Sequence, residues 1–537
     1  MAHVTCTSPI DGHVYVQRPF TGADELAQKL QRAKAAQRGW QQRSIQERAA
    51  LCSQMIDAML AMRSEIIPEL AWQMGRPVRF GGGELGGFEE RARHMIAIAE
   101  DALAPIRPRP IDGFSRYISR QPLGLILVVA PWNYPYLTAV NSIIPALMAG
   151  NAVILKHAAQ TPLVAERFQM ASDAAGLPAG LFQHVFLDHD ATAQLIASGA
   201  VDQVNFTGSV AGGQAMERAA AGTFSGLGLE LGGKDPAYVR ADADLDHAIE
   251  NLADGAFFNS GQSCCAIERI YVAENLYEAF VDGVVDIARG FSLGNPLDEA
   301  TTLGPMVRPA AADFVREQIN AAVAAGARAL VAAEGFAEDA AGSAYLAPQV
   351  LVDVDHSMAV MTEESFGPVV GIMKVANDAE AVQLMNDSQF GLSAAIWTND
   401  LDAAGALGDE LETGTVFMNR CDYLDPSLTW TGVKQTGRGA TLSAVGYETL
   451  TRPKSFHLTS ALIVLIGAQI LPPKVRATGL GDGHALLFSA RPRSWRGAPI
   501  KAPPVPPVRP TAEVGCTTDI QAGHFQNYLR RHRQLPP

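Results

Sequence analysis

Apolar residues recur at helical spacing among Arg, Gln and Glu through residues 24–63, which predicts two helices there. Gly81-Gly82-Gly83 and Gly86-Gly87 are expected to interrupt the chain before a further helix at about 88–103. Pro105, Pro108 and Pro110 break it again, and residues 114–120 alternate weakly, as an exposed hairpin strand does. From Leu123 the pattern changes to short buried strands: Leu125–Ala130, Ala152–Leu155, Phe182–Leu187 and Gln203–Phe206. Helical stretches lie between them at about 136–149, 161–176 and 190–198. Strand and helix in alternation predict parallel strands joined by crossovers, an open α/β sheet. A second α/β series is expected from about 237, with strands near 268–273, 329–332, 369–374 and 394–397.

Composition narrows the class. A chain of 537 residues is too long for one simple core, and 48% apolar with 18% charged residues is ordinary for a globular protein. The net charge of −14 argues against a body that binds nucleic acid. Residues 460–537 differ, with eleven prolines, ten Lys or Arg and three Asp or Glu. They read as an unstructured basic tail. Ala461–Leu471 is apolar but too short for a membrane span, which needs roughly 20 residues. The start has no basic segment followed by an apolar run, so no secretory signal is expected. Cys6, Cys52, Cys264, Cys265, Cys421 and Cys516 show neither Cys-x-x-Cys nor metal spacing, so no metal site is expected. An important cysteine is then there for its thiolate.

Four segments carry candidate chemistry. Gly261-Gln-Ser-Cys-Cys-Ala266 offers a thiol nucleophile between small residues, against the plain reading of a structural cysteine. Glu230-Leu-Gly-Gly-Lys234 couples a carboxylate, a candidate general base, to two glycines, although such a segment is also an ordinary turn after a strand. Pro131-Trp-Asn-Tyr-Pro135 sets Asn133 where a buried strand gives way to a helix, as a helix cap or as a donor to an oxyanion. Phe206-Thr-Gly-Ser209, with Gly213 beyond, opens a helix whose N-terminus suits a pyrophosphate, though it is not a G-x-G-x-x-G fingerprint. Lys156, at the end of a strand, can reach a ribose or phosphate or simply be solvated.

Taken together, these segments resemble the aldehyde dehydrogenase superfamily. Cys264 follows Glu230 by 34 residues and Glu230 follows Asn133 by 97. Glu364-Ser-Phe-Gly-Pro368, Asn386 with Phe390-Gly-Leu392, Gly414-Thr-Val-Phe-Met-Asn419 and Lys434-Gln-Thr-Gly-Arg-Gly439 also match in order. The resemblance runs from about residue 8 to 459 and implies a Rossmann-like cofactor domain, an α/β catalytic domain and a β-flap for oligomerisation. The corresponding boundaries are 1–110 with 123–229, then 230–420, and 111–122 with 440–459.

The resemblance implies Cys264 as the nucleophile, Asn133 with the Cys264 backbone N–H as oxyanion donors, and Glu230 as the base that hydrolyses the thioester. It implies NAD or NADP as cofactor, held by Trp132, Lys156, Gly208, Ser209, Gly213, Glu364 and Phe366. Ala159 stands where members strict for NAD often carry a Glu, so a 2′-phosphate would meet no carboxylate there. Tyr134, Thr138, Asn141, Phe258, Ser263, Cys265, Asp422, Tyr423 and Leu424 would line the aldehyde pocket. Arg420 could attract an acidic substrate and Asp422 a cationic one. Ala440-Thr441 replaces the Arg-Glu of many relatives, and His157-Ala158 their Pro-Ser. Expected partners are a small-molecule aldehyde and further copies of the chain, as a dimer or tetramer, with no nucleic acid or membrane, in the cytoplasm. The alternatives are transfer of the acyl group to coenzyme A, disfavoured by Glu230, and a non-catalytic homologue.

Overall fold

A strand that is apolar on both faces must be covered on both faces, and Leu125–Ala130 is: all six residues are buried. It is central in a six-stranded sheet of spatial order Gly437–Arg438, Gly226–Glu230, Gln203–Thr207, Leu125–Ala130, Ala152–His157, Phe182–His184. All neighbours pair in parallel except Gly437–Arg438, which runs antiparallel to Gly226–Glu230. From Leu125–Ala130 the chain winds outward to Phe182–His184, then returns to Gln203–Thr207 on the other side. The order therefore reverses between Leu125–Ala130 and Gln203–Thr207, and ligands of open α/β sheets collect at such a point. Helix Pro135–Met148, apolar nearly all round, is buried along its length.

This computed structural model describes residues 3–459, so the tail and Ala461–Leu471 lie outside the described residues. A second sheet has seven strands in the order Arg328–Ala329, Gln349–Val352, Val369–Val375, Ile267–Ala273, Asp235–Val239, Ser393–Trp397, Thr415–Met418. Only Arg328–Ala329 is antiparallel to its neighbour. The fold is α/β, with two parallel-sheet layers as the patterning implied. Residues 3–110 and 115–457 belong to one compact unit; residues 111–114 and 458–459 belong to a second, in which Phe114 N–H donates to the Ile111 carbonyl.

Several elements differ from expectation. The helix foreseen at 88–103 spans Val78–Ala102 and runs straight through the five glycines. A Cβ at Gly81 would stand 2.9 Å from Ile67 Cγ2, on helix Arg63–Met74. Close approach of the two helices, not a break, explains that glycine. Phe182–Leu187 shortens to Phe182–His184, and 329–332 reduces to Arg328–Ala329. The two-stranded ribbon joins Ser115–Pro122 to Thr451–Leu458. Residues 440–450 are not part of the ribbon. Leu442, Tyr447 and Leu450 are buried in the main core, and Tyr447 Oη donates to the Met95 carbonyl at 2.5 Å.

The helix that follows the candidate oxyanion donor is anchored by a buried charge. Glu84 Oε1 accepts from the N–H groups of Tyr136 (2.9 Å) and Leu137 (3.1 Å), while Oε2 pairs with Arg76. A carboxylate over a helix N-terminus satisfies free donors and complements the dipole. Removing it would strand a buried guanidinium. Glu84→Ala is expected to destabilise the protein by about 3–5 kcal/mol, the scale for breaking a buried pair on one side. Chemical denaturation of the variant checks this, and a loss below about 1 kcal/mol would contradict it.

Candidate active site

Glu230 is the last residue of its strand in the first sheet, and Asp235 the first residue of the next strand, in the second. The intervening Leu231–Lys234 therefore joins the carboxyl edge of one sheet to the amino edge of the other. Cys264 and Glu364 come just before strands Ile267–Ala273 and Val369–Val375, at that same amino edge. Pro131–Asn133 and Gly208–Ser209 follow the ends of strands at the carboxyl edge of the first sheet. The candidate residues from both halves of the chain thus meet at one seam.

The nucleophile loop is built from left-handed backbone. Asn259, Ser260 and Gly261 have φ of 53°, 56° and 68°. Non-glycine residues adopt this region only when their surroundings enforce it. Asn259 does so with its side chain: Nδ2 donates to the carbonyls of Asn133 and Gln262, both at 3.2 Å, and Oδ1 accepts from Arg76 Nε at 3.3 Å. Gln262 is pinned in turn, its Oε1 accepting from Val307 N–H at 2.8 Å. The Asn133 side-chain Nδ2 donates to the Gln262 carbonyl at 3.2 Å, two residues before Cys264. Asn133 is buried and Cys264 is half-buried. Arg76, Glu84 and Asn259 escaped the sequence reading, and Gln262 entered it only as part of the Cys264 motif; the polar cluster Phe258-Asn-Ser-Gly-Gln could have hinted at Asn259.

Glu230 is held at both oxygens. Thr207 Oγ1 donates to Oε2 at 3.1 Å, and Thr441 Oγ1 donates to Oε1. Burial pushes its pKa above the ordinary carboxylate value, opposed by the two hydroxyls and by the charge of Arg91. Thr441, the residue in place of the Glu of many relatives, is therefore in direct contact with the candidate base.

Around Cys264, Asp422 Oδ1 accepts from Ser263 Oγ and from Cys265 Sγ, each at 2.9 Å. Burial raises the Asp422 carboxyl to about 6, against the hold of Cys265, Ser263, Arg91 and Arg76. The Cys265 thiol is pushed well up by its hydrogen bond to Cys264, by burial and by the Asp422 charge. Tyr134 lies under the Arg76 guanidinium, 4.5 Å from ring centre to Cζ, and its buried hydroxyl has no hydrogen-bond partner among the described residues. Phe258 packs edge-on against Phe80, and Asn141 is buried. Thr138 turns its hydroxyl back to the Tyr134 carbonyl at 2.7 Å. Arg420 is exposed and stacks over Tyr423, whose hydroxyl donates to Glu90, whereas Leu424 packs on the main core.

The cofactor candidates lie along the same seam. Ser209 caps helix Val210–Ala220, accepting from Gly212 N–H at 3.2 Å. A Cβ on Gly208 would stand 2.7 Å from the Phe206 ring, and one on Gly213 would stand 2.6 Å from Leu231. Gly213 thus lets the helix lie close to its neighbouring segment. Lys156 is buried, which lowers its pKa, and Ala159 is exposed. Opposite them, Trp132 and Phe366 meet edge to face at 5.7 Å. Glu364 Oε1 accepts from Gly233 N–H at 2.9 Å; burial, reinforced by Glu268, pushes Glu364 up to about 7. A helix N-terminus, a buried lysine, a carboxylate and a pair of aromatic rings fit a dinucleotide.

With this geometry in hand, the comparisons place the chain: it belongs to the aldehyde dehydrogenase family, whose profile matches residues 2–456. It is an NAD(P)-dependent enzyme that oxidises an aldehyde to a carboxylate. The succinate semialdehyde dehydrogenase Sad of Escherichia coli strain K12, named for NAD(P)+, is 34% identical over 447 residues, 83% of this chain and 95% of that protein. The 3-sulfolactaldehyde dehydrogenase of Pseudomonas putida is 31% identical over 443 residues, 82% of this chain and 90% of that protein. Among solved structures, succinic semialdehyde dehydrogenase from Streptococcus pyogenes with NADP+ superimposes with TM-score 0.81 at 28% identity. It covers 86% of this chain and 100% of its own.

The five described cysteines differ in reach. Cys6, Cys52 and Cys265 are buried, and burial pushes Cys6 and Cys52 up to about 12. Cys421 is half-buried, but burial and three neighbouring carboxylates push its thiol up as well. At pH 7 a limiting amount of iodoacetamide should therefore modify Cys264 first among these five. Peptide mapping of the alkylated protein reads this directly; Cys265 or Cys421 reacting at an equal rate would overturn it.

Proposed function

We propose that Cys264 is the nucleophile, Asn133 the oxyanion donor and Glu230 the hydrolytic base of an aldehyde oxidation that passes through a thioester. The observation that carries this is the joint placement of the three. Asn133 donates to the carbonyl of Gln262, two residues before Cys264, and Gly233, three after Glu230, packs against the Cys264 carbonyl. Attack by the thiolate forms the C–S bond while the carbonyl electrons move to oxygen. The Asn133 amide and the Cys264 backbone N–H hold that oxyanion. Bound NAD(P) supplies the hydride acceptor. Glu230 then removes a proton from the water that attacks the thioester, and the carboxylate product leaves as the thiolate reforms.

Lys156, Gly208, Ser209 and Gly213 would hold the adenosine and pyrophosphate, Glu364, Phe366 and Trp132 the nicotinamide ribose. The exposed Ala159 offers no charge against a 2′-phosphate, which supports use of NADP as well as NAD. The first sheet with residues 1–110 would serve as cofactor domain and residues 230–420 as catalytic domain. Association into dimers or tetramers would use the ribbon, since two strands alone are marginally stable in water. A free-thiol mechanism suits a reducing compartment such as the cytoplasm. The relatives named above act on aldehydes that carry an acid group, and we take an acidic semialdehyde as the substrate class.

Glu230→Gln separates the two halves of the reaction. Mixed with cofactor and aldehyde, the variant should release about one reduced cofactor per active site and then stall, with the acyl group on the Cys264 peptide. Wild-type steady turnover without coenzyme A would remove Glu230 as the base.

Thr441 provides a pH test of the same base. The Thr441 hydroxyl holds the Glu230 pKa down. In Thr441→Val the base should accordingly protonate at higher pH, and the acid limb of kcat should move upward, while Thr441→Ser restores it. A superimposable profile in the Val variant would show that the contact does not tune the base.

A further inference from the structure

Arg91 is a charge the proposed chemistry does not use. It lies on helix Val78–Ala102 and is only 9% exposed. Its Nη1 donates to the Leu137 carbonyl at 3.0 Å and weakly, at 3.5 Å, to Asn141 Oδ1. Asn141 and Leu137 are on the helix that follows Asn133 and Tyr134. Burial lowers the Arg91 pKa, and Glu84, Cys265, Glu230 and Glu90 act on it in the opposite sense. Asp422 feels its charge too. The guanidinium is therefore held against Asn141, a residue expected to line the aldehyde pocket, on the helix that follows Asn133.

A buried guanidinium is ordinarily paired with an anion. Arg91 is in no ion pair among the described residues, and each carboxylate near it has other donors. Glu84 is taken by Arg76 and by the N–H groups of Tyr136 and Leu137. Glu230 is taken by Thr207 and Thr441, Asp422 by Ser263 and Cys265, and Glu90 by the Tyr423 hydroxyl. The contact with Asn141 Oδ1 also orients that amide, leaving its NH2 as a second donor beside the guanidinium.

We propose that Arg91, with Asn141 beside it, binds the acid group at the far end of the aldehyde substrate. This rests on the acidic-semialdehyde reading above and assigns it a residue. A carboxylate or sulfonate there accepts from the forked guanidinium donors and supplies the missing anion. Asp422 does not compete for the same place, because its accepting oxygen already serves Ser263 and Cys265. It keeps that side of the pocket closed to the anion, so the acid group is directed to Arg91 and the aldehyde carbon toward Cys264.

The test compares succinate semialdehyde with its methyl ester, and 3-sulfopropanal with butanal, on wild type, Arg91→Gln and Arg91→Lys. Wild type should prefer the acid in each pair, and Arg91→Gln should lower the acid-to-neutral ratio of kcat/KM by roughly 10- to 100-fold, the scale for hydrogen bonds to a charged group. Arg91→Lys should recover part of it. A loss in one pair only tells a carboxylate site from a sulfonate site. A ratio unchanged in Arg91→Gln overturns the proposal, and because it is a ratio, a general loss of fold does not imitate the effect. A second readout needs no turnover: glutarate should slow alkylation of Cys264 in wild type and not in Arg91→Gln. Equal protection in both, or none in wild type, would also overturn it. Absence of reduced cofactor with both acidic aldehydes would count against the acidic-semialdehyde reading, and the glutarate result would still decide the role of Arg91.

Discussion

The active seam depends on how closely two backbones can approach at Gly232 and Gly233. A Cβ at the first would strike the Glu364 carboxylate, and one at the second the Cys264 carbonyl. Because neither has one, the end of the first sheet, the nucleophile loop and the loop before Val369–Val375 are held at main-chain contact distance. Four residues carry the chain across, so Glu230 and Asp235 cannot drift apart. Thr436 adds a hydrogen bond from its hydroxyl to the Gly232 carbonyl at 2.8 Å. The geometry proposed for catalysis is thus set by backbone, and side chains elaborate it.

Buried charge reinforces this arrangement. Lys234 pairs with Glu268, which also accepts from Ser365 N–H (2.8 Å) and Phe366 N–H (2.9 Å). Asp235 accepts from Ser393 N–H at 3.0 Å and from its hydroxyl. Each pair crosses between segments distant in sequence. Such charges are expensive to bury and tolerated only with full hydrogen bonding, so they select one alignment of the loops against others.

The first sheet was legible where its strands are continuous apolar runs bounded by turns, as Leu125–Ala130 shows. Gly226–Glu230 escaped notice because alternating Gly and Leu resemble a turn, and Gln349–Val352 because four residues carry little periodicity. The glycine-rich start of Val78–Ala102 was misread since the composition of a breaker and that of a close helix contact are alike. Cys264, Glu230 and Asn133 stood out by motif and order. Arg76, Glu84, Asn259 and Arg91 did not, because what marks them is partnership, or its lack, across 46 residues or more for most of their contacts. Spacing along a chain does not encode that.

His157 has a consequence of a different kind. Its Nδ1 accepts from Ala158 N–H and stands 3.0 Å from the Thr161 hydroxyl, and its Nε2 faces the Pro135 carbonyl at 3.2 Å. It thereby ties its own strand, Ala152–His157, to the helix that follows Asn133. Burial drives its pKa down to about 4. The unfolded chain therefore takes up a proton there that the native protein refuses, at any pH between roughly 6.5 and 4. Above that window the imidazole is neutral in both states and the tie is insensitive to pH. Within it, acidification draws the balance steadily toward the unfolded chain. The residue that joins the cofactor strand to the oxyanion loop thus makes mild acid a burden on the whole fold and not only on the chemistry.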